Sequence, residues 1–110
     1  MAENTVTKAR KILCELLDKK NICADKIIFF GSQIKGTASR GSDVDILVVS
    51  KNFRRKGIFE KARLTSGIQW ELVNRLNLPV DLLYYSDQEW EKGESLIICQ
   101  VKDGLVFDIH

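Results

Sequence analysis

The stretch FFGSQIKGTASRGSDVDILVV, Phe29 to Val49, decides how the rest of the chain is read. It opens on two phenylalanines and a glycine-serine turn, and closes on an apolar run that carries Asp43 and Asp45. A short apolar run rich in β-branched residues, bounded by turn residues, predicts a buried strand, Val44–Ser50. An ionised carboxylate buried in such a strand without a partner costs several kcal/mol, so the aspartates need an explanation. Asp43 and Asp45 are two residues apart. The period of a strand sets both side chains on one face, about 6.6 Å apart along the chain. Val44, Ile46 and Val48 then point the other way, into the core.

Working outward, KIIFFGS predicts a second short strand, Lys26–Phe30, ended by glycine. VDLLYY, after Pro79, predicts a third, Val80–Tyr85, and it carries Asp81. If this strand pairs beside the first, their lines lie about 4.8 Å apart and Asp43, Asp45 and Asp81 converge at two strand ends. Such a cluster repels itself unless a cation sits there. Oxygen-only ligands suit Mg²⁺. Two such ions about 3.5–4 Å apart form the usual clamp for an in-line phosphoryl displacement. Strand-end aspartates also cap loops and helices, and the residues alone leave both readings open, most of all for Asp81.

Around these strands the periodicity predicts helices. Residues 5–20 place Val6, Ala9, Leu13, Leu16 and Leu17 on one face, with Asn4 or Thr5 as N-cap. Residues 33–40 form a short helix after Gly31-Ser32. Residues 58–77 carry Ile58, Ala62, Leu72, Val73 and Leu76 on one face, with Gly67 as the weak point. SDQEWEK offers a capped turn, and ESLIICQVK a helix closed by Asp103-Gly104. KNFRRKG is a polar loop, and LVFDI a last, edge strand. Strands separated by helices predict an α/β (α+β) fold, a short mixed β-sheet with helices packed on it.

Composition narrows the function. The 110 residues predict a single domain, 1–110, that is 45% hydrophobic and 29% charged. A net charge of +2 is too weak to bind nucleic acid or a membrane by bulk electrostatics. No apolar run approaches the roughly 18 residues that span a bilayer, and the N-terminus lacks a secretory apolar centre, so a cytoplasmic chain is expected. Cys14, Cys23 and Cys99 are odd in number and without a CxxC pair, which predicts buried thiols rather than zinc or disulfides. The one histidine is His110, so Ser-His and Cys-His hydrolases of the usual form are excluded. Four basic residues in KNFRRK suit a solvated loop better than a phosphate contact. Trp70, Tyr84, Tyr85 and Trp90 suit the core or helix packing better than base stacking or an interface. The terminal edge strand invites pairing with a second copy, a homo-oligomer.

Gly31-Ser32 follows a strand and opens a helix, where backbone N–H groups and a helix N-terminus favour a phosphate. Ser32 could add a hydroxyl donor. Glycines stand five apart here, but Thr37-Ala38 occupies the place where a Walker A loop needs Lys-Ser/Thr, so a P-loop is rejected. A glycine-serine pair alone is a turn. Its weight comes from spacing: ten residues, 33 through 42, separate it from the DVD of Asp43 and Asp45.

That spacing resembles the signature of the DNA polymerase beta-like nucleotidyltransferase superfamily, and the chain looks most like its minimal nucleotidyltransferases. NRLNLPVDLLYY and ICQVKDGLVFDI are similar to later family segments. The resemblance implies the polymerase beta-like nucleotidyltransferase fold and transfer of a nucleoside monophosphate from a nucleoside triphosphate, with ATP as substrate giving AMP. It implies that Asp43, Asp45 and Asp81 hold two Mg²⁺ ions, and that Asp81 is the base for the acceptor hydroxyl. Gly31 and Ser32 match the pair that holds the triphosphate. Many relatives have arginine soon after that pair. Here Gln33 and Lys35 stand there, and Lys35 offers the phosphate a point charge rather than a fork. The resemblance also implies a HEPN-type toxin partner, with AMP added to its tyrosine by this chain as antitoxin. The alternative is a binding module of the same fold that neutralises its partner by complex formation, without turnover.

Overall fold

The computed structural model describes residues 3–30, 44–92 and 105–108, with side chains for residues 6–29 and 44–92. Helix α1 (Glu3–Lys19) leads into β1 (Lys26–Phe30), and β2 (Val44–Val49) follows. A 3-10 turn (Lys51–Phe53) precedes α2 (Ile58–Leu64) and α3 (Ile68–Leu76). Then come β3 (Val80–Tyr85), α4 (Asp87–Lys92) and β4 (Leu105–Asp108). The strands form one mixed sheet in the order β3-β2-β1-β4. β1 is antiparallel to both β2 and β4, whereas β2 and β3 run parallel. The mixed sheet with packed helices is the predicted architecture, and β1 and β3 have the predicted ends. The segments predicted as helices over residues 33–40 and 94–102, and the Asp103-Gly104 stop, lie outside the described residues.

Alternation on the strands divides the core. Ile27 and Phe29 of β1, Val44, Ile46 and Val48 of β2, and Val80 and Leu82 of β3 face one way. On that side they meet Val6, Ala9, Ile12, Leu13, Leu16 and Leu17 of α1 and Ile68 and Leu72 of α3. Burial at about 25 cal/mol per Å² of apolar surface makes this layer the main source of stability. Ile28, Leu47 and Val49 face the other way, under Leu83, Tyr85 and Trp90 of α4.

Buried polar contacts tie the connections to the sheet. Ser50, predicted as the last residue of β2, instead caps the 3-10 turn by accepting from the Asn52 amide at 3.1 Å. Its hydroxyl donates to the Cys23 carbonyl at 2.6 Å, and the Cys23 amide donates to Asn52 Oδ1 at 2.9 Å. Those bonds hold the loop before β1 against the exit from β2 and leave the Cys23 thiol exposed, contrary to the buried thiol expected. Cys14 is half-buried, and burial raises its thiol above the ordinary value. Cys99 lies outside the described residues. In the KNFRRKG segment Lys51, Arg54 and Arg55 are exposed, as expected of a solvated loop, but two residues anchor it. Phe53 is buried against Tyr84, with ring centroids 5.2 Å apart. Arg54 forks onto the Asp87 carboxylate, its Nε donating to Oδ1 at 2.7 Å. Ser86 and Glu89 form a reciprocal cap on α4: the Ser86 hydroxyl accepts from the Glu89 amide and Glu89 Oε1 from the Ser86 amide, each at 3.0 Å.

The single helix expected over 58–77 is two. Gly67 sits at φ +84°, a left-handed conformation that breaks the spiral and re-aims α2. The apolar face predicted to run through both halves therefore does not persist: Ile58 is 82% exposed, while Ile68 and Leu72 are buried. Trp70, expected in the core or in helix packing, is 70% exposed. Among the described residues no helix is long and apolar enough to cross a membrane.

Two outcomes follow from this packing. Gly67→Ala is expected to cost about 1 kcal/mol, read by chemical denaturation. A Cβ there would meet nothing within 4 Å, so the cost is conformational. Tyr84 gives the second. Burial pushes its phenol up to about 12, against the opposing pull of a hydrogen bond with Thr65. The folded chain then keeps a proton that the unfolded chain releases near pH 10, so stability falls as pH rises from about 10 to about 12. Tyr84→Phe is expected to shallow that decline in denaturation curves recorded across the window.

Candidate active site

The site is built by the parallel pairing of β2 with β3. In its register Asp45 lies opposite Asp81, with Val44 opposite Val80 and Ile46 opposite Leu82. Neighbouring strands stand about 4.8 Å apart, and in-register residues project to the same face. Asp45 shares its face with Leu47 and Val49, and Asp81 with Leu83 and Tyr85, away from the α1 layer. The two carboxylates thus sit side by side at the start of both strands, Asp45 half-buried and Asp81 exposed. β1 runs antiparallel and brings Phe30 opposite Asp45 at this same end. Of the residues singled out in the sequence, the structure brings Asp45 and Asp81 together. Asp43, Gly31, Ser32 and Lys35 lie outside the described residues.

Two like charges directly opposite each other on adjacent strands are destabilising. A divalent cation between them turns that repulsion into attraction and inverts the local electrostatics. The donor set is carboxylate oxygen, which suits a hard ion such as Mg²⁺ and not a thiolate-seeking metal. Among the described residues no group of three or more histidine, cysteine or acidic side chains gathers at one point, so Asp45 and Asp81 are a pair that would hold an ion together with further ligands.

A groove of about 910 Å³ opens between α2, α3 and β3, and its lining reaches Leu82, the residue after Asp81. Gln69 of α3 reaches across to donate to the Val80 carbonyl at 2.9 Å, one residue before Asp81. At the far end Lys61 of α2 donates to the Tyr84 carbonyl and to Glu89, both at 2.9 Å. Burial opposes ionisation of Glu89, yet its bonds with Lys61 and Ser86 hold its carboxyl below the ordinary range. Reasoning from sequence missed Lys61, Gln69 and the groove. Helical spacing marks both residues as polar positions, and nothing in it says that they meet the edge of a strand.

Residues 6–107 match the nucleotidyltransferase domain family. The chain belongs to that family. Over 85 residues this nucleotidyltransferase domain is 29% identical to a protein of Methanocaldococcus jannaschii named a putative protein adenylyltransferase. The match covers 74% of the chain and 57% of that relative, so the chain spans little more than half its length. Among solved structures, one titled as a toxin-antitoxin with AMP-PNP superposes with a TM-score of 0.57 at 24% identity, covering 87% of this chain and 69% of that one. A structure titled as a putative minimal nucleotidyltransferase gives a TM-score of 0.57 at 23% identity, over 96% and 95% of the two chains. A putative nucleotidyltransferase from Sulfolobus solfataricus gives 0.50 at 21% identity, over 97% and 88%. These structures share the fold of the nucleotidyltransferase domain.

Mg²⁺ with ATP is expected to raise the Tm of the parent chain, and Asp81→Asn to shrink that rise. Melts in chelator and in Mg²⁺ with ATP read the effect, and a parent melt unmoved by saturating Mg²⁺ and nucleotide would refute the site.

Proposed function

We infer that the chain transfers AMP from ATP to a hydroxyl of a protein partner, and that this modification neutralises the partner, a HEPN-type toxin whose acceptor is a tyrosine. The in-register pair of Asp45 and Asp81 in a nucleotidyltransferase domain carries the reading. The relative named as a protein adenylyltransferase supports AMP and a protein acceptor, and the toxin-antitoxin structure with AMP-PNP supports the partner and the nucleotide.

In this reading Asp43, Asp45 and Asp81 would hold Mg²⁺, which supplies charge neutralisation at the triphosphate when bound. The Gly31 N–H and the Ser32 hydroxyl would orient the β- or γ-phosphate, and Lys35 would add a positive charge. Asp81 takes the proton of the acceptor hydroxyl. The acceptor oxygen forms a bond to the α-phosphorus, the bond from that phosphorus to the bridging oxygen breaks, and pyrophosphate leaves. Positioning and electrostatics supply most of the acceleration, as in other phosphoryl transfers. No imidazole is required, which suits a chain whose one histidine is His110.

The test is transfer of label from α-labelled ATP to a HEPN-type partner, sought as the product of the neighbouring gene, with Mg²⁺. Asp45→Asn and Asp81→Asn are each expected to reduce transfer by about 10²-fold or more. Absence of transfer with every nucleotide defeats the proposal. Neutralisation that survives Asp43→Ala/Asp45→Ala would assign it to binding alone.

A further inference from the structure

Strand β3 is one edge of the sheet among the described residues. The Tyr85 and Pro79 carbonyls accept from β2 and its flanks, so the odd-numbered residues of β3 bond inward. Val80, Leu82 and Tyr84 then turn their backbone amides and carbonyls outward. Gln69 takes the Val80 carbonyl and Lys61 the Tyr84 carbonyl. Between these two braces Leu82 presents its amide and carbonyl to the groove it lines. Ile58 and Trp70, two of the three large apolar side chains exposed among the described residues, stand along the same groove, 82% and 70% exposed. Phe59, 87% exposed, is the third.

Three features select the occupant. A strand edge that lines a groove beside apolar side chains is matched by extended polypeptide, whose backbone pairs with the edge while alternate side chains fill the walls. Lys61, the cation of the groove, is already bonded to Glu89 and to the Tyr84 carbonyl, so the groove is balanced in charge and ill-suited to a phosphate chain. The groove also begins one residue from Asp81 and follows β3 for about 13 Å, the span of four residues of extended chain. A segment lying in it would end at the strand position next to Asp81.

The geometry points to this groove as the docking site of the acceptor protein, which enters as an extended, mainly apolar segment laid along β3. The inference rests on a protein acceptor, as proposed above, and adds the surface that recognises it. Trp70 is the anchor, since a large aromatic held in the open is costly until a partner covers it.

The experiment uses the chain and the product of the neighbouring gene. Ile58→Ser and Trp70→Ala alter exposed side chains and leave the fold intact, which circular dichroism confirms. Each is expected to weaken the complex and raise KM for the protein acceptor by about tenfold, with the Tm gain from Mg²⁺ and ATP unchanged. In the complex the Leu82 amide should gain protection from hydrogen exchange. If the parent chain binds without transferring label, the protein-acceptor activity fails while the groove is still judged by the two Kd values and by Leu82. Unchanged Kd values, an unprotected Leu82 amide or no complex at all would overturn the groove. Loss of the ATP-dependent Tm gain in Trp70→Ala would overturn it in favour of a nucleotide.

Discussion

The parallel register of β2 and β3 is the constraint on which the rest depends. It sets Asp45 against Asp81. A slip of one residue would turn one aspartate into the α1 core and expose an apolar side chain in exchange. The register is held by the apolar residues that alternate with the aspartates: Val44 and Ile46 on β2, Val80 and Leu82 on β3, all against α1 and α3. The buried face thus positions the opposite face. Like-charge repulsion between two carboxylates is worth at most about 1 kcal/mol, and burial of four aliphatic side chains outweighs it several-fold.

The two ends of the sheet are treated differently. At the end where β2 exits, Ser50, Asn52 and Cys23 are cross-bonded, Phe53 fills the core beside Tyr84, and Arg54 grips α4. Polar groups there are occupied in holding loops to strands. At the other end the register aligns acidic side chains with each other.

The β3 edge adds a second asymmetry. Exposed edges invite unwanted pairing, and proteins commonly cover or charge them. Here two side chains from α2 and α3 brace the edge at Val80 and Tyr84 but leave a groove between the braces. The break at Gly67 makes this possible. A continuous helix over 58–77 would lay one straight rod across β3, whereas two short helices meeting at a left-handed glycine can each send one polar side chain to the strand.

Local pattern was enough for β1 and β3, for the buried face of α1 and for the inward direction of Val44, Ile46 and Val48, because periods of two and 3.6 residues are carried by neighbours along the chain. The carboxylates were legible as candidates for the same reason: charge inside an apolar strand is visible one residue at a time. Gly67 was visible as a weak point, but not the turn it makes, since whether a glycine breaks a helix depends on what the two halves pack against. Only the tertiary structure decided that Asp45 and Asp81 share a register, that Ile58 and Trp70 face outward, and that Lys61 and Gln69 reach the β3 edge. Each is a relation between segments distant in sequence, chosen by the joint packing of helices and sheet.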